Sequence, residues 1–259
     1  QIRNRYLKYC FSDSIRCYMS PKISDIILLG TDRIHLFDTP LLMCRNQGLS
    51  MEQRAAKRVL DIIVSGLGII VSSPIMLIIA IAVKAYDGGP VFYLQDRLTY
   101  QGKEFRIRKF RSMCVDSEKN GARLASKHDS RITPVGHVLR NLHLDELPQL
   151  FNVFMGDMSL VGPRPERDVI MQEYEQEIPE FHYRLKVKAG LTGYAQVYGK
   201  YNTTPYDKLK LDLFYIENYS FLLDIKLLFM TVKIFFQKEV SEGVDDNQKN
   251  ALKDSEDKK

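Results

Sequence analysis

Two adjacent carboxylates, Asp145 and Glu146, head the stretch LDELPQLFNVFMGDMSLVGPRP, Leu144 to Pro165, which closes on Arg164 held between Pro163 and Pro165. Paired acids before an apolar-periodic segment admit two readings. In one, Asp145 caps a helix by accepting an early backbone N–H, and Glu146 sits favourably beside the positive end of the helix dipole. In the other, one carboxylate attacks the phosphorus of a phosphate drawn to the helix start, while its neighbour holds a divalent cation. An anionic nucleophile is repelled by a diphosphate until cations neutralise the phosphoryl oxygens. Glu146, a hard oxygen donor, suits Mg2+ in that role.

Further positive charge is at hand in Lys109, Arg111, Arg140 and Arg164, each beside a predicted turn or helix end. An arginine fork can clamp phosphate through two parallel hydrogen bonds. The prolines flanking Arg164 restrict its backbone and so fix its direction. Each base also has a plainer reading: Lys109 and Arg111 meeting lipid headgroups, Arg140 on a solvated helix face, Arg164 in an ordinary loop. His143, nearest the acids among five histidines, has no partner at ligand spacing and is expected to be structural or superficial. Cys10, Cys17, Cys44 and Cys114 form no CxxC, which predicts free thiols and no zinc site.

The elements that must position these groups follow from periodicity. Leu144, Leu147, Leu150, Phe151 and Phe154 keep helical spacing, predicting a helix from near Asp145 with Pro148 tolerated in its first turn. Pro90 to Phe110 alternates apolar and polar around Gly102, a hairpin ending in a basic cluster. Asp116 to Arg131 is polar and reads as a loop. Phe221 to Phe236 reads as a helix with two opposed polar stripes, Ser220, Asp224 and Thr231 against Lys226 and Lys233, so Asp224 lies off the lysine-bearing face.

Residues 59–83 form a strongly hydrophobic run with one charge, Asp61, interrupted by Ser72, Ser73 and Pro74. At about 1.5 Å per residue a straight helix of this length could cross a roughly 30 Å hydrocarbon core. The proline break opposes that, as does positive charge on both flanks: Arg54, Lys57 and Arg58 before the run, Lys84, Lys103, Arg106, Arg108, Lys109 and Arg111 after it. A helix-break-helix that dips into one leaflet and returns satisfies both; a kinked span and a buried core helix are the alternatives.

The chain has 259 residues, 45% of them hydrophobic, enough for one domain with a real core. Its net charge of +5 suits an anionic lipid surface, phosphates or nucleic acid. The aromatic-basic stretch KEFRIRKFR prompts the nucleic-acid reading, but the adjoining apolar run and the acid-rich C-terminal stretch argue for no nucleic acid. The chain opens on Gln1 with no signal-peptide pattern and reads as part of a longer one.

The blocks KRVLDIIVS…SSPIML, FRIRKFRSM, LRNLHLDELPQLFNVFMGDMSLVGPRP, KAGLTGYAQVYGK and LDLFYIENYSFLLDIKLL, in this order, resemble the bacterial sugar transferases called monotopic phosphoglycosyl transferases. The resemblance implies an α+β, mainly helical fold with a re-entrant membrane helix at residues 59–83, a small β-hairpin and amphipathic interfacial helices. It implies transfer of a sugar 1-phosphate from a UDP-sugar to a polyprenol phosphate, usually undecaprenyl phosphate, with release of UMP, initiating polysaccharide or glycoconjugate synthesis. The place would be the cytoplasmic face of the bacterial inner membrane, in contact with its lipid; a homo-oligomer is left open.

Carried over by position, Asp145 corresponds to the nucleophile of a phosphosugar-aspartate intermediate and Glu146 to its Mg2+ ligand. Lys109 matches a basic active-site position, Arg140 the arginine upstream of the acids, and Asp224 a polar residue important to the site. Pro163, Arg164 and Pro165 match a motif associated with the nucleotide; Ser73 and Pro74 match the helix break. The resemblance further predicts residues 1–53 as a linker and the end of an upstream domain, 54–240 as the catalytic domain, and 241–259 as a disordered charged tail. The chain departs from the pattern V-x-P-G-I-T-G-W-A-Q-V-N-G-R at Ala189, Leu191, Tyr194, Tyr198 and Lys200, and Thr99 stands where a turn glycine is common. A non-catalytic membrane-attached module of a polysaccharide assembly system, with Asp145 a mere cap, is the competing reading.

Overall fold

The computed structural model describes residues 2–36, 38–44, 48–115, 129, 131–200 and 203–235. The predicted tail at 241–259 and nearly all of the Asp116 to Arg131 loop lie outside them. The described chain is mostly helical, with three two-stranded sheets.

Upstream, α1 (Ile2–Ser12) buries no residue, whereas α2 (Ile23–Leu29) inserts Ile23 and Ile26 into the main core. The body therefore takes core residues from before position 54. A two-stranded antiparallel sheet, β1 (Asp32–Leu36) and β2 (Thr39–Met43), stands between α2 and the long helix α3 (Met51–Asp87).

Helix α3 begins on a capping box: Ser50 accepts from Gln53 N, and the Gln53 side chain returns a bond to Ser50 N. It ends on Gly88, whose φ of 69° is the left-handed conformation glycine adopts at little cost. By length and composition α3 could cross a membrane. Pro74 lies inside it and cannot donate to the Ile70 carbonyl; the Ser73 hydroxyl donates to that carbonyl instead, at 2.8 Å. Ser72 bonds back to the Gly68 carbonyl at 2.6 Å. Ser73 thus takes over the carbonyl that Pro74 leaves without a donor, while α3 continues as one helix through both. A row of large apolar side chains stays exposed along α3, among them Ile63, Leu67, Ile70, Val71, Leu77 and Ile78.

Both halves of α3 rest on the same body. Its first half buries Lys57, Asp61 and Ser65 toward the main core, and its second half buries Met76, Ile79 and Val83 against Phe110 and Leu139. The predicted hairpin is present as β3 (Phe92–Leu98) and β4 (Glu104–Phe110), with Gly102 at φ 75° in the turn.

After β4 come α4 (Pro134–Asn141), α5 (Gln149–Met155) and β5 (Ser159–Val161). Then α6 (Asp168–Glu177) and a 3-10 stretch, Pro179–Lys186, lead to β6 (Gly190–Thr192), which pairs in parallel with β5. Helices α7 (Tyr194–Tyr198), α8 (Pro205–Glu217) and α9 (Phe221–Phe235) close the domain, α8 and α9 supplying Leu209, Leu213, Tyr215, Ile216 and Leu227 to the core. The four cysteines are free, as their spacing predicts.

Thr99 and Ala189, two departures from the family pattern, meet in this core. The buried Thr99 hydroxyl donates to the Asp157 carbonyl at 3.0 Å and accepts the Ala189 N–H at 3.1 Å. A proline at 189 would need no acceptor, so the Thr99 hydroxyl answers an N–H that is present only because residue 189 is not proline. Thr99→Gly should cost about 1–3 kcal/mol of stability by stranding a buried N–H, and adding Ala189→Pro should return most of it. Denaturant unfolding of both variants checks this, and a double variant no more stable than the single would refute the pairing.

Candidate active site

The acidic pair does not open an α-helix. Helix α4 ends at Asn141, His143 takes a left-handed φ of 53°, and the chain then makes a single 3-10 turn, Leu144–Glu146, before α5 begins at Gln149. The expected helix start near Asp145 is displaced because Pro148, lacking an N–H, occupies the N-cap of α5. Among the described residues the Asp145 carboxylate caps no helix, which removes the role that the competing reading gave it.

In a 3-10 turn successive side chains point about 120° apart, while residues three apart eclipse. Leu144 and Leu147 accordingly share one side and pack into the cluster formed by Met76, Ile79, Val83, Phe110 and Leu139. With its apolar side packed into this cluster, the turn presents Asp145 and Glu146 in two different directions.

Glu146 faces cations. Its Oε1 accepts from Lys109 Nζ at 2.6 Å and from Arg164 Nη2 at 3.2 Å. Burial pushes this carboxyl up, but Arg164 and Lys109 outweigh it and hold the pKa at about 2. Asp145 differs: burial, then the neighbouring Glu146, raises its carboxyl above the ordinary aspartate range, with Lys109, Arg140 and His143 pulling the other way. Among the described residues its oxygens accept no hydrogen bond. A carboxylate with free lone pairs stands beside one that two cations have claimed.

Lys109 reaches the turn from the last residues of β4, an edge fixed by Asn152 of α5. The Asn152 side chain takes the Arg108 N–H at 3.0 Å and donates to the Arg106 carbonyl at 2.8 Å. Arg140, in the last turn of α4, is steadied by a 2.9 Å bond from its Nε to Ser112 Oγ. Gly136 lets α4 approach this closely, since a Cβ there would collide with the Ser112 carbonyl.

Arg164 projects from a loop whose carbonyls are taken one after another. Pro163 O accepts from Gly190 N at 2.9 Å, Arg164 O from Arg184 Nη2 at 3.0 Å, Pro165 O from Arg97 Nη1 at 3.2 Å, and Glu166 O from Leu98 N at 3.0 Å. Two prolines that need no acceptor and four carbonyls already bonded fix the backbone from which the Arg164 side chain reaches Glu146. Arg184 is itself buried against Asp212 at 2.8 Å, and burial pushes the Asp212 carboxyl up to about 6 despite that partner.

The structure thus gathers Asp145, Glu146, Lys109, Arg140 and Arg164. Arg111 lies elsewhere, ion-paired with Asp87 at the end of α3. Asp224 is fully buried and bonded to Lys57 and Tyr215, and it exchanges no hydrogen bond or ion pair with the gathered group. The residues that sequence reasoning missed are the half-buried Arg97 and the buried Arg184, with Asn152. No spacing signal marks them; Asp61, the lone charge in the apolar run, was visible but unassigned. Among the described residues no group of three or more His, Cys, Asp or Glu is placed to hold a metal.

The model of the bacterial sugar transferase family matches residues 52–238. A UDP-N-acetylgalactosamine-undecaprenyl-phosphate N-acetylgalactosaminephosphotransferase of Aeromonas hydrophila is 44% identical over 180 residues, 68% of this chain and 43% of that protein. UDP-glucose:undecaprenyl-phosphate glucose-1-phosphate transferases of Klebsiella pneumoniae and Escherichia coli are 43% and 40% identical over 208 residues, in each case 78% of this chain and 43% of the relative. The chain spans less than half the length of these three curated relatives. A match of this extent, with the quoted blocks in order, makes the chain a member of the bacterial sugar transferase family.

Proposed function

We propose that this chain transfers a sugar 1-phosphate from a UDP-sugar to a polyprenol phosphate, with undecaprenyl phosphate, the lipid named for the relatives, as acceptor. The observation that carries the reading is the Asp145 carboxylate, unbonded among the described residues, beside a Glu146 gripped by Lys109 and Arg164. An Asp145 oxygen attacks the sugar-bearing phosphorus, the bond from that phosphorus to the bridging oxygen breaks, and UMP leaves with the electron pair. An oxygen of the polyprenol phosphate then attacks the same phosphorus and displaces Asp145. Lys109, Arg140 and Arg164 receive the diphosphate and stabilise its charge as it shifts onto UMP.

Glu146 would hold the cation through Oε2, since Lys109 and Arg164 both bond to its Oε1. A single carboxylate ligand suits Mg2+, which keeps several waters and takes substrate phosphate oxygens. When bound, it neutralises phosphoryl oxygens. Pro163 and Pro165 belong to the nucleotide side through Arg164. Arg111, buried and paired with Asp87 at the end of α3, would meet lipid headgroups or the acceptor phosphate only by giving up that pair.

Helix α3 is embedded in one leaflet and returns at Ser73 and Pro74, placing the domain on the cytoplasmic face of the inner membrane. Supporting this, the ion pair Lys57–Asp224 near its start and Arg111–Asp87 at its end both tie it to the same body. A helix crossing about 30 Å of hydrocarbon would carry its second half away from that body. Cysteines placed at Glu52 and Asp87 should both react with a membrane-impermeant maleimide added from the cytoplasmic side, and one reacting from the periplasm would establish a span instead. The function itself is tested by UMP release from a panel of UDP-sugars in the presence of polyprenol phosphate; no release with any of them would overturn it.

A further inference from the structure

The resemblance ranks Asp224 among the site residues, yet the structure leaves it nothing with which to meet a substrate. It is fully buried, its Oδ2 accepts from Lys57 Nζ at 2.6 Å, and its Oδ1 accepts from the Tyr215 hydroxyl at 2.7 Å. Lys57 Nζ also donates to Tyr215 Oη at 2.9 Å and lies over the rings of Tyr215 and Tyr219. Each charge and each proton in this trio is answered inside the protein.

The trio borders β5. Tyr215 Oη lies 3.3 Å from the Val161 carbonyl. One helical turn beyond Lys57, Asp61 takes the Ser159 hydroxyl at 3.0 Å and the Leu160 N–H at 2.9 Å through Oδ1. All three residues of β5 are therefore bordered by polar groups that α3 presents or pairs with, and the strand runs directly into the loop that carries Arg164. Gly162 begins that loop, with its N–H bonded to the Thr192 carbonyl at 2.8 Å.

We infer that Asp224 is a positioning residue: with Lys57 and Tyr215 it seats β5 on the start of the apolar helix, so that the Pro163–Pro165 loop and the membrane helix are held as one unit. It acts on the reaction only through Arg164, and in that respect rests on the function proposed above. Removing one member of a buried ion pair strands a charge, whereas replacing both by apolar groups is close to neutral. A positioning role and a substrate-touching role therefore part company in the paired variant.

The test uses the full-length protein in membranes, with two readouts: KM and kcat for UMP release, and amide hydrogen exchange over residues 159–164. Asp224→Asn should raise the KM for the UDP-sugar by about tenfold or more and accelerate exchange in that segment. Lys57→Met with Asp224→Leu should bring KM back to within about fivefold of the parent and restore protection. A folded paired variant as impaired in UMP release as Asp224→Asn overturns the inference, as does unchanged exchange in Asp224→Asn. Should Asp224→Asn fail to fold, Tyr215→Phe, which deletes only a hydroxyl, carries the exchange measurement, expected to rise about threefold. If the parent releases no UMP, the proposed function falls, and hydrogen exchange alone judges the seating of β5.

Discussion

Asp145→Asn is expected to lower UMP release by about 10⁴-fold or more while leaving UDP-sugar binding within a few-fold of the parent. The substitution keeps shape and removes the attacking lone pair, and losing a nucleophile typically costs that much because the remaining groups act on a step that no longer occurs. Structural disruption should be small, since the Asp145 carboxylate bonds to nothing among the described residues and burial already disfavours its charge. With labelled donor and no lipid acceptor, the parent should retain sugar phosphate on the protein at Asp145, and the variant none. Retained label in Asp145→Asn, or label mapped to another side chain of the parent, would refute the assignment.

Glu146→Gln is expected to cost about 10²–10³ in kcat/KM, of the order seen when a single preorganised electrostatic contact is removed from a transition state. Its consequences run through two neighbours. Lys109 and Arg164 lose the carboxylate that holds them at 2.6 and 3.2 Å, so both cations are left without their shared anchor. The divalent ion loses its carboxylate ligand, so the Mg2+ concentration needed for half-maximal activity should rise by about tenfold or more. Chelation with EDTA should abolish activity in the parent and be reversed by Mg2+. A variant with unchanged metal requirement would show that Glu146 orients Lys109 and Arg164 only.

Some of this was legible in the chain. The hairpin about Gly102 and the helix from Phe221 followed from alternation and from 3.6-residue spacing, signals that depend on one buried face and survive tertiary context. The start of the helix after the acids did not, because Leu144 and Leu147 fit a 3-10 turn as well as an α-helix. A three-residue separation cannot tell the two apart, and Pro148 decides. Lys109, Arg140 and Arg164 were named from the sequence, and the fold gathers them; Arg111, of the same residue type and two positions from Lys109, was drawn away by Asp87. Which base serves which acid is settled by strand ends and helix caps far apart in the chain. Arg97 and Arg184 were invisible for the same reason: they act on backbone carbonyls of a distant loop, and such bonds leave no pattern in the sequence.

The apolar contacts of Leu144 and Leu147 fix a height. Since Leu144 and Leu147 pack in one cluster with Met76, Ile79 and Val83 of the long apolar helix, Asp145 is held at a set distance from that helix. Under the proposed function, a bilayer that thins or thickens would move that helix and Asp145 together. The isoprenoid chain of an acceptor could then vary in length without altering where its phosphate meets Asp145, and discrimination among acceptors would fall to the phosphate and the isoprene units nearest to it.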